Sequence, residues 1–347
     1  MSSNVKLPVR IASIGAGGIS RAHGEGFVKH PDKLRCVALC DVSAENLKKR
    51  SEQLAPTGTT PRTFGDWKVM LKEMANEIDA VDICLPHHLH CAAILDATAA
   101  GKHIICEKPM CMSLAEADEI VRAVKRSGVT YMSGHNQLFM PVVQEAKRLI
   151  DAGEIGRVLW LRSQDCFRAG GPGGDPFAGS WRASLKTQGG GELIDTGYHP
   201  SYRMLYLAGS PIANIQAQMG RYVQNIEGED TASVTIRFEN GAIGEILTSW
   251  AFALPFGTHQ IHVVGEKGQI FGSENTLYLL RGQETEPQKK TFDTVHTFTA
   301  ELVHFAECLA QGKRPIHSVE EGRAVLELIL GATQSAVGWR ETAVKKV

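Results

Sequence analysis

The sequence predicts an α/β chain in two parts: an N-terminal doubly wound parallel sheet, then an α+β domain whose sheet is mostly antiparallel. Three observations predict it. The chain has 347 residues, room for two cores at about 150 residues per domain. Residues 1–133 alternate short β-rich runs with helical stretches at βαβ spacing. Residues 134–347 place one β-rich run after another with few helices between them, which suits antiparallel pairing.

The elements follow in order. In the first part, Val9–Ile14, Cys36–Cys40, Ala80–Leu85, His103–Cys106 and Val129–Ser133 read as strands. Helices are expected from near Ile19, over Ser43–Leu54, over Cys91–Ala100, and over Ser113–Ser127. The last opens with Ser113-Leu-Ala-Glu116, a capping box in which hydroxyl and carboxylate satisfy free helix-start amides. In the second part a helix over Pro141–Ala152 precedes strands at Val158–Phe167, Ile212–Met219, Ala232–Phe238, Ala242–Phe252, Gln260–Val264 and Leu277–Leu280. Residues 192–207 read as one helix, and Thr297–Ala310 and Ser318–Val337 as two more.

Composition narrows the function. The charged fraction is 22% and 43% of residues are hydrophobic, values of a globular chain. With 37 Lys plus Arg against 38 Asp plus Glu, the net charge of −1 offers no general attraction to nucleic acid or to an acidic membrane. No window approaches the eighteen or so apolar residues of a membrane span, and Met1–Arg10 lacks a signal-peptide core. The eight cysteines form no Cys-x-x-Cys pair, and several lie in apolar runs, so free thiols in a cytoplasmic protein are expected. Glycine is in excess, and eleven of the 35 fall in two places: residues 15–18 and residues 168–191.

The first cluster, Gly15-Ala-Gly17-Gly18-Ile19-Ser20, sits between the first strand and its helix. In a dinucleotide fold, glycines there make the tight turn and admit a pyrophosphate onto the helix-start amides, here those of Gly18 and Ile19. Ser20 stands where Gly or Ala is usual. Asp41 ends the second strand, 24 residues past Gly17, where an acid accepts hydrogen bonds from the adenosine ribose. A carboxylate there repels a 2′-phosphate, which favours NAD over NADP. The same pattern also fits a doubly wound protein that binds another ligand, with Asp41 as a helix-start charge.

Three further constellations could carry chemistry. Leu85-Pro86-His87-His88-Leu89-His90 follows the third strand as a loop facing the cofactor; three histidines without a carboxylate or thiolate suit the surface or the cofactor's edge better than a metal. Glu107-Lys108-Pro109 ends the next strand, and its lysine is either a tuned proton acceptor or half of a solvated pair. Asp195 and His199, four apart on the helix over 192–207, would share a face. They form either a proton-transfer pair or a structural feature, an i,i+4 ion pair or a buried, satisfied histidine. None of the six tyrosines has a lysine four residues later, which excludes the short-chain dehydrogenase pair.

Together these segments resemble the Gfo/Idh/MocA family of oxidoreductases over nearly the whole chain, from Ile14-Gly-Ala-Gly-Gly-Ile19 through Glu107-Lys-Pro109 and Trp181-Arg182 to Gly189-Gly-Gly191 and Asp195-x-x-x-His199. The resemblance implies a Rossmann domain at 1–133, and at 134–347 a substrate-binding and oligomerisation domain with a large open sheet. It implies Lys108, Asp195 and His199 as the catalytic set, with either Lys108 or His199 as the immediate base. Pro86, His87, His90, Glu107, Lys108, Asn136, Trp181 and Arg182 would line the NAD. Phe167 and Arg168, leading into the second glycine cluster, would frame the substrate with Lys108, Asp195 and His199. The implied activity is hydride transfer between a sugar, glycoside or cyclitol and nicotinamide, in a homodimer or homotetramer with no metal. Two other functions fit the same fold. One is a redox-neutral glycosidase or epimerase that retains its NAD. The other is a sugar or dinucleotide sensor, which would not need the proton-handling residues.

Overall fold

A computed structural model describes residues 5–171 and 174–338. They divide into two compact units. One comprises the residues up to Met140 together with Thr294–Leu326, the other Pro141–Asp293 together with the residues from Glu327 on.

The first unit runs β1 (Val9–Ile14), α1 (Gly18–Lys29), β2 (Leu34–Cys40), α2 (Ala44–Leu54), β3 (Arg62–Phe64), α3 (Trp67–Glu73), β4 (Ala80–Ile83), α4 (His87–Ala99), β5 (His103–Glu107), α5 (Leu114–Ser127) and β6 (Tyr131–Gly134). The six strands are parallel in the order β3-β2-β1-β4-β5-β6. Strands β4 and β6 are buried along their whole length, as expected where both sheet faces are covered. The capping box of α5 forms: the Ser113 hydroxyl accepts from the Glu116 amide, the Glu116 carboxylate from the Ser113 amide, and left-handed Gly128 closes the helix.

Two features of this unit differ from expectation. Residues 87–90 are not a loop but the first turn of α4, which starts four residues ahead of Cys91. Pro86 is its N-cap; its ring sets the backbone, and it has no N–H to leave unpaired. Strand β3 and helix α3 were also unforeseen, the latter opened by Asp66, whose carboxylate accepts from the Lys68 and Val69 amides.

The second unit contains α6 (Pro141–Asp151), β7 (Val158–Cys166), α7 (Leu185–Gln188), α8 (Glu192–Asp195), α9 (Tyr198–Ala208) and strands β8 (Ile212–Gly220), β9 (Thr231–Phe238), β10 (Ile243–Ser249), β11 (Ile261–Gly265), β12 (Gly268–Ser273), β13 (Thr276–Arg281) and β14 (Gln288–Thr291). The chain then continues through α10 (Thr297–Gln311), which belongs to the first unit, and α11 (Val319–Val337). The eight strands form one sheet in the order β14-β13-β12-β11-β7-β10-β9-β8, antiparallel throughout except where β7 meets β10. Along β9, buried residues alternate with exposed or half-buried ones, so the sheet presents one open face.

The expected single helix over 192–207 is two, α8 and α9, joined by a turn at Thr196 and Gly197. The Gly197 amide donates to Glu192 five residues back, and the His199 amide to Thr196 three residues back, so the winding changes between them. Pro200 has no N–H for the Thr196 carbonyl. Gly197 packs so closely that a Cβ would lie 2.6 Å from the Cα of Leu193. The four-residue rule therefore does not set the geometry of Asp195 and His199.

Candidate active site

In the first unit the expected residues stand at the carboxyl ends of the parallel strands. The glycine turn follows β1, Asp41 follows β2, Pro86 caps the helix after β4, Glu107 ends β5, and Asn136 follows β6. In open α/β sheets, ligands bind beyond these ends, at the point where strand order reverses. Here that point lies between β1 and β4.

Gly15 is at this point with φ +97°, and a Cβ would fall 2.3 Å from the Cys84 carbonyl oxygen. Only glycine fits there. Gly17 and Gly18 are different: a Cβ on either would meet nothing within 4 Å. That open cradle lies over the first turn of α1, whose N-cap Gly17 supplies no side-chain acceptor and whose first turn has no acid. Helix-start amides without a competing acceptor suit a pyrophosphate, so the residues fit NAD.

Polar side chains brace the turn. The Ser20 hydroxyl donates to the Gly17 carbonyl (3.2 Å) and accepts from Arg50 Nε (3.1 Å), while Arg50 Nη2 donates to the same carbonyl (3.2 Å). Asp41 accepts from the Ala16 amide at 2.7 Å and from the Ser43 amide at 2.8 Å, which fixes its carboxylate beside the turn. Two carboxylate oxygens have more acceptor sites than these bonds fill, so capacity for ribose hydroxyls remains.

The histidines of α4 differ in setting: His87 and His90 are buried and His88 is exposed. The two ring nitrogens of His90 lie 2.6 Å from the Pro109 carbonyl and 2.7 Å from the Leu85 carbonyl, so its ring ties the start of α4 to the segment after β5. Burial pushes its pKa down, opposed by those carbonyls. Glu107 is buried; its Oε1 lies 3.0 Å from His23 Nε2, and its Oε2 accepts the Lys108 amide at 3.3 Å. The Asn136 side-chain amide donates to the Thr297 hydroxyl (2.8 Å). Among the described residues, His23 lies at metal-ligand spacing from Asp82 with Cys84 and from Glu107 with Glu301, but both its ring nitrogens are already taken, by Asp82 and Glu107.

The second unit carries the other expected residues. Asp195, at the end of α8, is buried and accepts from Arg182 Nε at 2.6 Å. The Arg182 guanidinium lies over the Trp181 ring, 4.3 Å from its centroid. His199 Nδ1 is 2.7 Å from the Tyr202 hydroxyl, a bond that orients the imidazole. Phe167 is exposed, and Arg168 Nη1 reaches the Ala251 carbonyl at 3.5 Å. Beside it, Ala169, Phe177, Ile226 and Trp250 form a small core, with the Phe177 and Trp250 rings stacked at 4.4 Å. Behind Asp195, burial pushes the Glu192 carboxyl well above its usual range, as does the charge of Glu229.

Four residues here were not anticipated from sequence: Arg50 and His23 in the first unit, Tyr202 and Glu192 in the second. Tyr202 stood within reach of notice, three residues past His199 on the same helix. The others take partners from distant segments, with no local signal.

All eight cysteines are free. Among the described residues, no helix is long and apolar enough to cross a membrane.

Comparison with known proteins agrees with this geometry. Residues 9–135 match the family described as an oxidoreductase family with an NAD-binding Rossmann fold, and residues 143–271 match the GFO/IDH/MocA C-terminal domain. A scyllo-inositol 2-dehydrogenase (NAD+) of Bacillus subtilis is 30% identical over 94% of this chain and 94% of its own. A myo-inositol 2-dehydrogenase of Thermotoga maritima is 26% identical over 98% and 99%. The solved structure of a levoglucosan dehydrogenase with NADH and levoglucosan superposes with a TM-score of 0.86 at 22% identity, covering 95% of this chain and 97% of that one, a likeness of fold. With both its domains matched, this chain belongs to the Gfo/Idh/MocA family of NAD-binding oxidoreductases.

Proposed function

We propose that the protein is an NAD-dependent dehydrogenase that oxidises a hydroxyl carbon of a sugar, glycoside or cyclitol, or reduces the matching ketone. The observation that carries this reading is the row of glycine turn, Asp41, Pro86, Glu107-Lys108 and Asn136 along the carboxyl ends of one parallel sheet. The relatives add support: two are named inositol dehydrogenases, and a D-glucoside 3-dehydrogenase of Escherichia coli is 27% identical over 72% of each chain.

Bound NAD supplies the acceptor for the hydride that leaves the hydroxyl carbon. The chain's own residues hold the substrate and manage its proton. In this proposal Gly15, Gly17, Gly18 and Ile19 seat the pyrophosphate, and Asp41 takes the adenosine ribose and selects NAD. Pro86, His87, His90, Glu107, Asn136, Trp181 and Arg182 line the remainder of the cofactor. Lys108 and His199 bond the reacting hydroxyl and one of them accepts its proton; Asp195 fixes the ring. For His199 to act as base at Nε2, its Nδ1–H donates to the Tyr202 hydroxyl, a bond the 2.7 Å separation permits. Phe167 and Arg168 border the substrate. On the same likeness we propose residues 1–133, with α10 packed into their core, as the NAD-binding domain and the rest of 134–347 as the substrate domain, in a cytoplasmic homodimer or homotetramer.

The test is a panel of sugars, inositols and glycosides with NAD, followed by NADH absorbance, with Lys108→Ala alongside. At least one compound should yield NADH, and Lys108→Ala should lose about 100-fold or more in turnover while still binding NAD. Near-normal activity of that variant overturns the assignment of Lys108. Conversion of a glycoside without NADH accumulation points instead to the redox-neutral reaction.

A further inference from the structure

A buried polar cluster in the first unit joins Glu107 to residues with no role assigned above. At its centre is His23 on α1, 1% exposed. Its Nδ1 is 3.0 Å from Asp82 Oδ1 on β4, and its Nε2 is 3.0 Å from Glu107 Oε1 at the end of β5. Cys84 Sγ approaches Nδ1 at 3.7 Å, Glu301 Oε1 of α10 approaches Nε2 at 3.8 Å, and the Phe298 ring lies 5.6 Å from the imidazole. Asp82 and Glu301 have no exposed surface, and neither Glu301 oxygen has a hydrogen-bond partner.

The donors and acceptors of this cluster fix its protonation. Glu107 accepts the Lys108 amide on its second oxygen, and Asp82 accepts from the Ser13 hydroxyl (3.4 Å) and from Cys84 (3.5 Å). Both carboxylates are therefore acting as acceptors, and both ring nitrogens face one. A neutral imidazole would turn a lone pair toward a buried carboxylate, at a cost the surroundings cannot screen. A ring bearing both protons makes two charge-assisted bonds instead. One cation between two anions leaves no compensation for a third, so Glu301 stays a neutral acid; burial, with Glu107 beside it, pushes its carboxyl well up.

We infer that His23 is a positioning residue: as an imidazolium clamped between Asp82 and Glu107, it sets where β5 ends and hence where Lys108 leaves the strand. The linkage is direct, because Glu107 holds His23 with one oxygen and the Lys108 amide with the other. The glycine turn at the start of the same helix is held separately, by Ser20 and Arg50 on the Gly17 carbonyl, so loss of the ring falls on the lysine and not on that turn. This inference rests on the proposed role of Lys108.

Two measurements test it on the full-length protein. Histidine-selective 15N labelling should show both His23 ring nitrogens still protonated well above the ordinary titration near 6.5. A ring that titrates near 6.5, or carries one proton, overturns the clamp. His23→Gln reaches only one carboxylate; it should keep NAD affinity within about threefold but lose about 100-fold in kcat, the scale of a small misplacement at a reacting group. A kcat within threefold of the parent overturns the positioning role, as does a loss that falls equally on NAD binding and turnover. If that variant does not fold, Asp82→Asn, which loosens the ring from the far side, is read by the same criteria. The NMR result does not depend on turnover, so failure of the Lys108 reading (an active Lys108→Ala) is told apart from failure of the clamp.

Discussion

At the scale of single residues, Asp41 has two attachments that pull in different directions. Its oxygens accept the Ala16 and Ser43 amides, so it braces the glycine turn. Its charge, placed just past β2, is also what would exclude a 2′-phosphate. Asp41→Asn keeps the size and removes the charge, so the two roles separate. The ratio of kcat/KM for NADP to that for NAD should rise about tenfold, equivalent to about 1.4 kcal/mol of altered preference. Melting temperature should fall only slightly, since one amide acceptor survives. Coenzyme kinetics with both cofactors measure the first effect and thermal melts the second; an unchanged ratio would remove Asp41 from cofactor selection.

At the scale of elements, α10 shows how a fold can hide from its own sequence. Its Leu302, Phe305, Ala306 and Leu309 pack into the core of Val9, Ile11, Phe27, Leu34 and Ile105, and the Lys33–Glu307 pair (2.6 Å) joins residues 274 positions apart. Phe305 is fully buried there. Phe305→Ala should therefore cost about 3 kcal/mol or more, read as a lower urea midpoint together with weaker NAD binding. A variant that loses stability in the second unit alone would contradict the packing. The amphipathic period of α10 was legible as a helix, but its destination was not, because periodicity records which face is buried and not what covers it. Strand β1 was legible to the residue because five of its six positions are buried and it ends at the glycine turn. Strand β14, Gln-Lys-Lys-Thr, was invisible, being an exposed edge with no apolar side chain to mark it. The site divides in the same way. The glycine turn, Asp41 and Glu107-Lys108 stand out because a strand end and its loop are contiguous in sequence. His23 and Arg50 do not, since each is a helix side chain whose partners lie on other segments.

At the scale of the whole molecule, the buried ionisable groups shape stability against pH, and they do so in opposite senses. His317 lies with its Nδ1 2.7 Å from that of His135, and burial lowers its pKa to about 4. Burial lowers His90, His103 and His304 as well. Below their ordinary value near 6.5 the unfolded chain takes up protons that these folded groups refuse, so stability falls as pH drops from about 6.5 toward 4. The Glu192, Glu229 and Glu301 carboxyls are shifted the other way, chiefly by burial. Above about 4.5 the unfolded chain releases protons that the folded one keeps, so each of these groups lowers stability progressively as pH rises toward its folded value. His23 adds to this alkaline limb: burial opposes its charge, but Asp82 and Cys84 hold its pKa well above 6.5, so what it contributes is lost as pH rises through that value. Stability should therefore peak on the weakly acidic side of neutrality. Glu192→Gln isolates one contribution, because the amide is a permanently neutral copy of the protonated acid and can still accept the Thr248 hydroxyl. As pH rises above about 4.5 its melting temperature should decline less steeply than the parent's, the two curves converging toward acid. Parallel curves across that range would mean that Glu192 is already ionised in the folded protein, and that the hydroxyl of Thr248 is sufficient to hold a buried charge behind Asp195.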